Sequence, residues 1–158
     1  MSKEEIYKWL EEVKDPEIPV LSLVDLGVIT EVHLNDQSVK IEMTPTFVGC
    51  PALDYMKREV EEALIKNGVQ DFSVEVNFKK AWSSDLISEK GKKALKKFGL
   101  APPTSAKIFA DIGIIEHAEC PRCNGANTEL KTPFGPTLCR AIYYCHDCRE
   151  AFELFKAV

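Results

Sequence analysis

Ile6, Trp9, Leu10 and Val13 recur at the spacing of one helical face, and Ser2 and Glu5 ahead of them form a capping box. The chain therefore opens with an amphipathic helix, which Asp15-Pro16 ends. In the segment Asp15-Pro16-Glu17-Ile18-Pro19, two prolines fix the backbone and remove two donors, which makes a stiff loop. The period then changes from helical to alternating. Val28, Thr30, Val32 and Leu34 read as a strand, Asn35-Asp36-Gln37-Ser38 as a turn, and Val39, Ile41 and Met43 as the return strand of a hairpin.

Thr44-Pro45-Thr46-Phe47-Val48-Gly49-Cys50-Pro51 leads into a second helix, with Ala52, Tyr55, Met56, Ala63 and Leu64 as its apolar face and Asn67-Gly68 as its stop. Phe72, Val74, Val76 and Phe78 alternate as a third strand. A short helix from about Ser88 to Phe98 follows, stopped by Gly99 and Pro102-Pro103. Helix, hairpin, helix, strand, helix, with every strand short, predicts an α+β domain: a small mixed sheet covered on one side by helices. We place this domain at residues 1–103, a connector at 104–116 containing Ile108, Phe109, Ile112, Ile114 and Ile115, and a cysteine-rich module at 117–158.

A chain of 158 residues with 45% hydrophobic content buries one substantial core plus a small module held by something other than burial. Its formal charge of −5 and pI near 5.3 argue against general affinity for nucleic acid or anionic membrane. No stretch approaches the roughly 20 apolar residues of a membrane span, and Met-Ser-Lys-Glu-Glu is not a signal peptide, so a soluble cytoplasmic protein is expected. In a reducing compartment, six cysteines read as metal ligands or reactive thiols before disulfides.

Spacing assigns four of them. Cys120-Pro121-Arg122-Cys123 and Cys145-His146-Asp147-Cys148 are two C-x2-C knuckles with 21 residues between them, close to the zinc-ribbon pattern. Two residues between thiolates let one tight turn aim both sulfurs at one ion, and two such turns complete a tetrahedron. A closed four-sulfur shell leaves no position for water, so the metal is structural. Iron takes the same ligands, and zinc is the reading adopted. Cys139, His117 and His146 are alternative ligands, set against readings as a core thiol and solvent-facing histidines.

Cys50 stands apart, between Gly49 and Pro51 at a predicted helix entrance, where free N–H groups favour a thiolate. It is either such a thiolate or a buried structural cysteine. Gly49 would let the backbone approach another chain, ion or cluster closely. Asp15, Glu17 and Asp25 are carboxylates in apolar or proline-rich surroundings, suited to a metal site with Cys50 or to capping their own loops. His33, at an odd position in a strand with apolar even positions, reads as a surface residue, which leaves a Cys50-based enzyme without an evident base. The run Lys90, Lys92, Lys93, Lys96 and Lys97 is a solvated face or a contact for an acidic partner or a phosphate, and Trp82 a core or a contact aromatic.

Asp15-Pro16-Glu17-Ile18-Pro19, Leu23-Val24-Asp25-Leu26-Gly27-Val28, Thr44-Pro45-Thr46 and Gly49-Cys50-Pro51 together resemble the domain shared by iron–sulfur assembly factors of the cytosolic targeting type and their bacterial relatives. Trp82-Ser83-Ser84-Asp85, Gly99-Leu100-Ala101-Pro102-Pro103, and Phe134-Gly135-Pro136-Thr137 running through Cys139 to the second knuckle resemble one subgroup. This is the PaaD family, encoded with phenylacetyl-CoA epoxidase. The chain departs from that pattern at Pro136, where serine is expected, and at Arg149, where glycine is.

The resemblance implies an accessory factor that supports a multicomponent oxygenase without oxygenating. It implies a transient iron–sulfur cluster handled at Cys50, with Asp15, Glu17 and Asp25 as signature residues. The implied partners are the reductase or di-iron subunit and the iron–sulfur assembly machinery. A cluster normally takes four protein ligands, so Cys50 needs a second copy in a homodimer or ligands from the client. The ribbon would dock the client through Phe134, Tyr143 and Phe152. The competing readings are a nucleic-acid-binding or protein-docking zinc ribbon without cluster handling, and a thiol enzyme.

Overall fold

The structure, a computed structural model, describes residues 1–35, 38–103 and 118–156; the connector and His117 lie outside them. The chain divides into two compact units, Met1–Trp82 with Leu86–Gly91, and Ser83–Asp85 with Lys92–Val158.

The first unit begins with helix α1, Lys3–Leu10, closed by the expected capping box: the Ser2 Oγ accepts from the Glu5 N–H, and the Glu5 carboxylate accepts from the Ser2 N–H at 2.7 Å. Strands β1 (Ile29–Asn35) and β2 (Ser38–Met43) pair antiparallel, and β3 (Asp71–Val76) joins β2 in parallel, giving a mixed sheet in the order β1-β2-β3. Helix α2, Leu53–Lys66, supplies the crossover between β2 and β3. Ile6 and Leu10 of α1, Val39, Ile41 and Met43 of β2, and Met56, Val60 and Leu64 of α2 are all buried, so the core is one layer of helix against one sheet face.

Three details depart from the alternation read along the chain. The register shifts between Ile29 and Glu31, making Thr30 an extra, bulged residue that lets buried Ile29 pair with Met43 while Glu31 pairs with Glu42 on the opposite face. The buried stripe of α2 is Met56, Val60 and Leu64, whereas Tyr55 is exposed, with the Arg58 guanidinium 5.3 Å from its ring centroid. Phe78 lies beyond the end of β3 and is exposed.

Helix α3, Glu89–Phe98, carries the lysine run. Within the first unit Lys90 reaches Glu11 at 3.1 Å, and within the second Lys96 reaches Glu119 at 2.6 Å. Trp82 is a core residue, its indole N–H donating to the Leu26 carbonyl at 3.0 Å. The second unit is built on a four-stranded sheet in the order β4-β7-β6-β5, from β4 (Leu100–Ala101), β5 (Thr128–Thr132), β6 (Arg140–Cys145) and β7 (Glu150–Phe155). Its core gathers Ala101, Ala118, Cys120, Ala141, Tyr143, Cys145, Phe152 and Leu154. Among the described residues no helix is long and apolar enough to cross a membrane.

Candidate metal and thiol sites

The first knuckle precedes β5, and the second is the turn between β6 and β7. In the first, the Asn124 N–H donates to the Cys120 carbonyl at 2.9 Å and the Cys120 N–H to the Gly125 carbonyl at 3.0 Å. Each knuckle is followed by a residue in the left-handed region, Asn124 at φ 60° and Arg149 at φ 61°. Asparagine tolerates that conformation, and arginine does so at a cost, which accounts for glycine being the expected residue at 149. A Cβ at Gly125 would press on the Asp147 carboxylate and crowd the Cys123 sulfur, so a larger residue there makes the Asp147 side chain turn aside.

These turns bring the sulfurs of Cys120, Cys123, Cys145 and Cys148 within 4.8 Å of one another, with Cys123–Cys145 at 3.6 Å and Cys120–Cys148 at 3.7 Å. Such separations are far longer than the roughly 2.05 Å of a disulfide. A tetrahedron of thiolates around an ion with metal–sulfur bonds of about 2.3 Å has edges of about 3.8 Å, so the quartet fits a four-sulfur metal site. As thiols the four are unequal. Backbone N–H groups of Cys148 and Asp147 aimed at Cys145 bring its pKa down to about 7, while burial and the three neighbouring sulfurs push Cys148 up to about 12.

The alternative ligands stand elsewhere. The His146 ring faces Glu129 at 3.2 Å and the edge of Tyr144, and Cys139 is buried beside the Thr137 hydroxyl at 3.1 Å. Two of the three aromatics assigned to docking are core instead. Tyr143 and Phe152 stack at 5.6 Å and are buried, and burial pushes the Tyr143 phenol up to about 12. Phe134 is exposed, under the Lys156 ammonium at 4.7 Å. Alternation along β6 decides this: Ala141, Tyr143 and Cys145 share the inward face, a period that shows only once β6 is delimited.

Cys50 lies ahead of the Pro51-Ala52 turn, with α2 starting at Leu53, and it is half-buried. Its thiol is raised above the ordinary value, chiefly by burial and further by the Asp15 and Glu17 carboxylates, against the Ala52 and Leu53 N–H groups, which favour the anion. The helix entrance therefore does not by itself make a thiolate here. The charges of Asp15 and Glu17 are felt at this thiol, but the three residues do not gather their donor atoms as a metal-ligand group. Asp15 also orders its own turn, its Oδ1 accepting from the Glu17 and Ile18 N–H groups at 2.9 Å each. Gly49 adopts φ 84° with open space where a Cβ would lie, so the backbone conformation and not close approach calls for glycine. Beside it Val48 is 84% exposed.

Asp25 has other partners. Its carboxylate accepts from the Ser88 Oγ at 2.6 Å and the Ser22 Oγ at 2.8 Å, with the Lys90 ammonium at 3.4 Å. Burial opposes its charge, but Ser88, Ser22 and Lys90 together outweigh burial and hold the carboxyl below its ordinary range.

Comparison with known families divides the chain as its two kinds of chemistry do. The iron–sulfur cluster assembly protein family matches residues 3–78, and the PaaD zinc beta ribbon domain matches residues 106–156. An Escherichia coli (strain K12) protein named as a "Putative 1,2-phenylacetyl-CoA epoxidase" subunit is 35% identical over 98% of this chain and 92% of its own length. The chain belongs to the PaaD family.

The N-terminal part of this PaaD-family chain has relatives of its own. An Fe-S protein maturation auxiliary factor of Porphyromonas gingivalis is 36% identical over 56% of the chain and 85% of that protein. Among solved structures, a domain of unknown function from Bacillus anthracis superposes with a TM-score of 0.56 at 31% identity, covering 59% of this chain and 90% of that one. A conserved hypothetical protein of Thermotoga maritima gives 0.52 at 32% identity, covering 63% and 96%. The α+β fold with an appended four-cysteine ribbon, and kinship with iron–sulfur maturation factors and an epoxidase subunit, are thus established for this chain.

Proposed function

We propose that this chain is a cytoplasmic, non-catalytic maturation factor for a multicomponent phenylacetyl-CoA epoxidase, assisting assembly or transfer of an iron–sulfur cluster to the reductase subunit through Cys50. The observation that carries this reading is the likeness of this chain, 35% identical over 98% of its length, to an epoxidase subunit, with a half-buried Cys50 beside the exposed Val48 and Gly49 and a thiol that feels the negative charge of Asp15 and Glu17. The cluster is cargo. One cysteine sulfur is by itself a weak, exchangeable hold on a cluster, suited to handing on rather than keeping. A single thiol leaves most positions on a cluster to other groups, which the client or a second copy supplies.

In this reading Cys120, Cys123, Cys145 and Cys148 hold one structural zinc ion, which maintains the ribbon as a docking module presenting Phe134. Naming of the relatives as auxiliary factors supports a non-catalytic role.

The raised Cys50 thiol favours a second reading, in which the chain docks client proteins and carries no cluster. One experiment separates the two. Wild type and Cys50→Ala are purified without oxygen, analysed for zinc, iron and sulfide, and tested for restoring epoxidase activity to a strain lacking the chain. Iron, sulfide and activity lost only in the variant, with one zinc per chain in both, fits the proposal; full activity in the variant removes Cys50 from the mechanism and leaves the docking module.

A further inference from the structure

Among the described residues, one other group of metal-ligating side chains gathers its donor atoms: Glu31, His33 and Glu42, all within 4.8 Å of one another. They come together through the sheet register. Glu31 pairs directly with Glu42 across β1 and β2, and His33 stands two residues along β1 on the same outward face. The bulge at Thr30 permits this, since without it the buried Ile29 and the solvent-facing Glu31 would share a face.

Two carboxylates opposed across antiparallel strands repel each other unless a cation lies between them. The His33 Nε2 faces both, 3.2 Å from Glu31 Oε2 and 3.4 Å from Glu42 Oε1. The far oxygen of Glu42, Oε2, accepts from the Asn77 amide at 3.3 Å, which orients the carboxylate and leads the effects that hold it below its ordinary range, with Lys40 and His33 adding to it against burial. Lys40 is the neighbouring cation, 3.8 Å from Glu42 Oε1, but it stands closer to Glu75 at 2.8 Å and keeps that partner if Glu42 turns to an ion.

We propose that Glu31, His33 and Glu42 form a solvent-facing site for a divalent transition-metal ion, distinct from the four cysteines and from Cys50. One imidazole nitrogen and two carboxylate oxygens suit zinc, iron(II) or manganese(II) and offer nothing to soft ions that need sulfur. Three protein ligands leave positions to water, and with the His33 side chain 41% exposed the bound ion exchanges freely. The site does not depend on the reading of Cys50.

Manganese(II) is the probe, because it prefers oxygen and nitrogen to the thiolates elsewhere in the chain. Protein already holding one zinc per chain is titrated with manganese, the free ion is followed by electron paramagnetic resonance, and the histidine ring resonances are recorded in parallel. One manganese per chain is expected, with broadening of the His33 ring signals. His33→Gln and Glu42→Gln should each weaken binding at least about tenfold, and Cys50→Ala should leave it unchanged. Absence of bound manganese, His33 signals that stay sharp, or unaltered affinity in both variants overturns the site and leaves an imidazole in polar contact with two carboxylates.

Discussion

The Ser88 hydroxyl donates to the Asp25 carboxylate at 2.6 Å across 63 residues of sequence, and the Asp25 carbonyl accepts in return from the Ser88 N–H at 2.9 Å. Ser88 also caps the first turn of α3 through the Gly91 N–H at 2.9 Å. One buried carboxylate thus ties the 22–25 loop to the start of a helix. Asp25→Ala, which strands two hydroxyls, should destabilise the first unit by about 1–3 kcal/mol in denaturant titration.

The same carboxylate makes stability depend on pH. The folded pKa of Asp25 is depressed, so its contribution is fully present above the unfolded value of 3.8 and disappears as pH falls through the lower folded value. Asp25→Asn should flatten that acid limb while losing stability at neutral pH. Melting curves recorded for both proteins from neutral pH to below that value test this, and identical acid limbs would count against it.

At Arg149 the backbone is held at φ 61°, where a side chain costs about 1–2 kcal/mol relative to glycine. Arg149→Gly should slow the loss of ribbon metal to a chelator, and Arg149→Val should speed it. Equal rates would mean that the turn relaxes without strain.

Removing one ribbon ligand should unfold the module and leave the first unit standing. Binding free energy at a structural zinc site is on the order of 10–16 kcal/mol and doubles as folding free energy. Cys145→Ala should therefore lose the metal and, with it, protection of the β6 amides around Tyr143, while the amides of β2 keep theirs in hydrogen exchange.

Asp15→Asn and Glu17→Gln should each lower the Cys50 pKa, since both carboxylates raise it. With the ribbon sulfurs protected by metal, alkylation of Cys50 at pH 8 should speed up roughly twofold per substitution. Rates that do not change would place the two charges too far from the sulfur to matter.

Much of this molecule is legible as local pattern. The capping box of α1, the hairpin, the crossover helix and the pairing of cysteines two residues apart all follow from periods and spacings within a few residues, because backbone geometry alone sets them. The Thr30 bulge is invisible at that range, since one inserted residue reverses which face every following side chain takes. Tyr143 and Phe152 read as exposed from sequence for a related reason: aromatic residues in a cysteine-rich tail have no evident period until the strands that carry them are known.

By itself the sequence determined the α+β order, the four ribbon cysteines as a set and the isolation of Cys50 along the chain. Tertiary structure decided what surrounds each of these. It let the charges of Asp15 and Glu17 act on the Cys50 thiol, turned Asp25 toward Ser22 and Ser88, and set His33 between two carboxylates. Spacing along the chain specifies a turn, but burial and charge at a side chain depend on which distant segments close around it, and only the folded register supplies those.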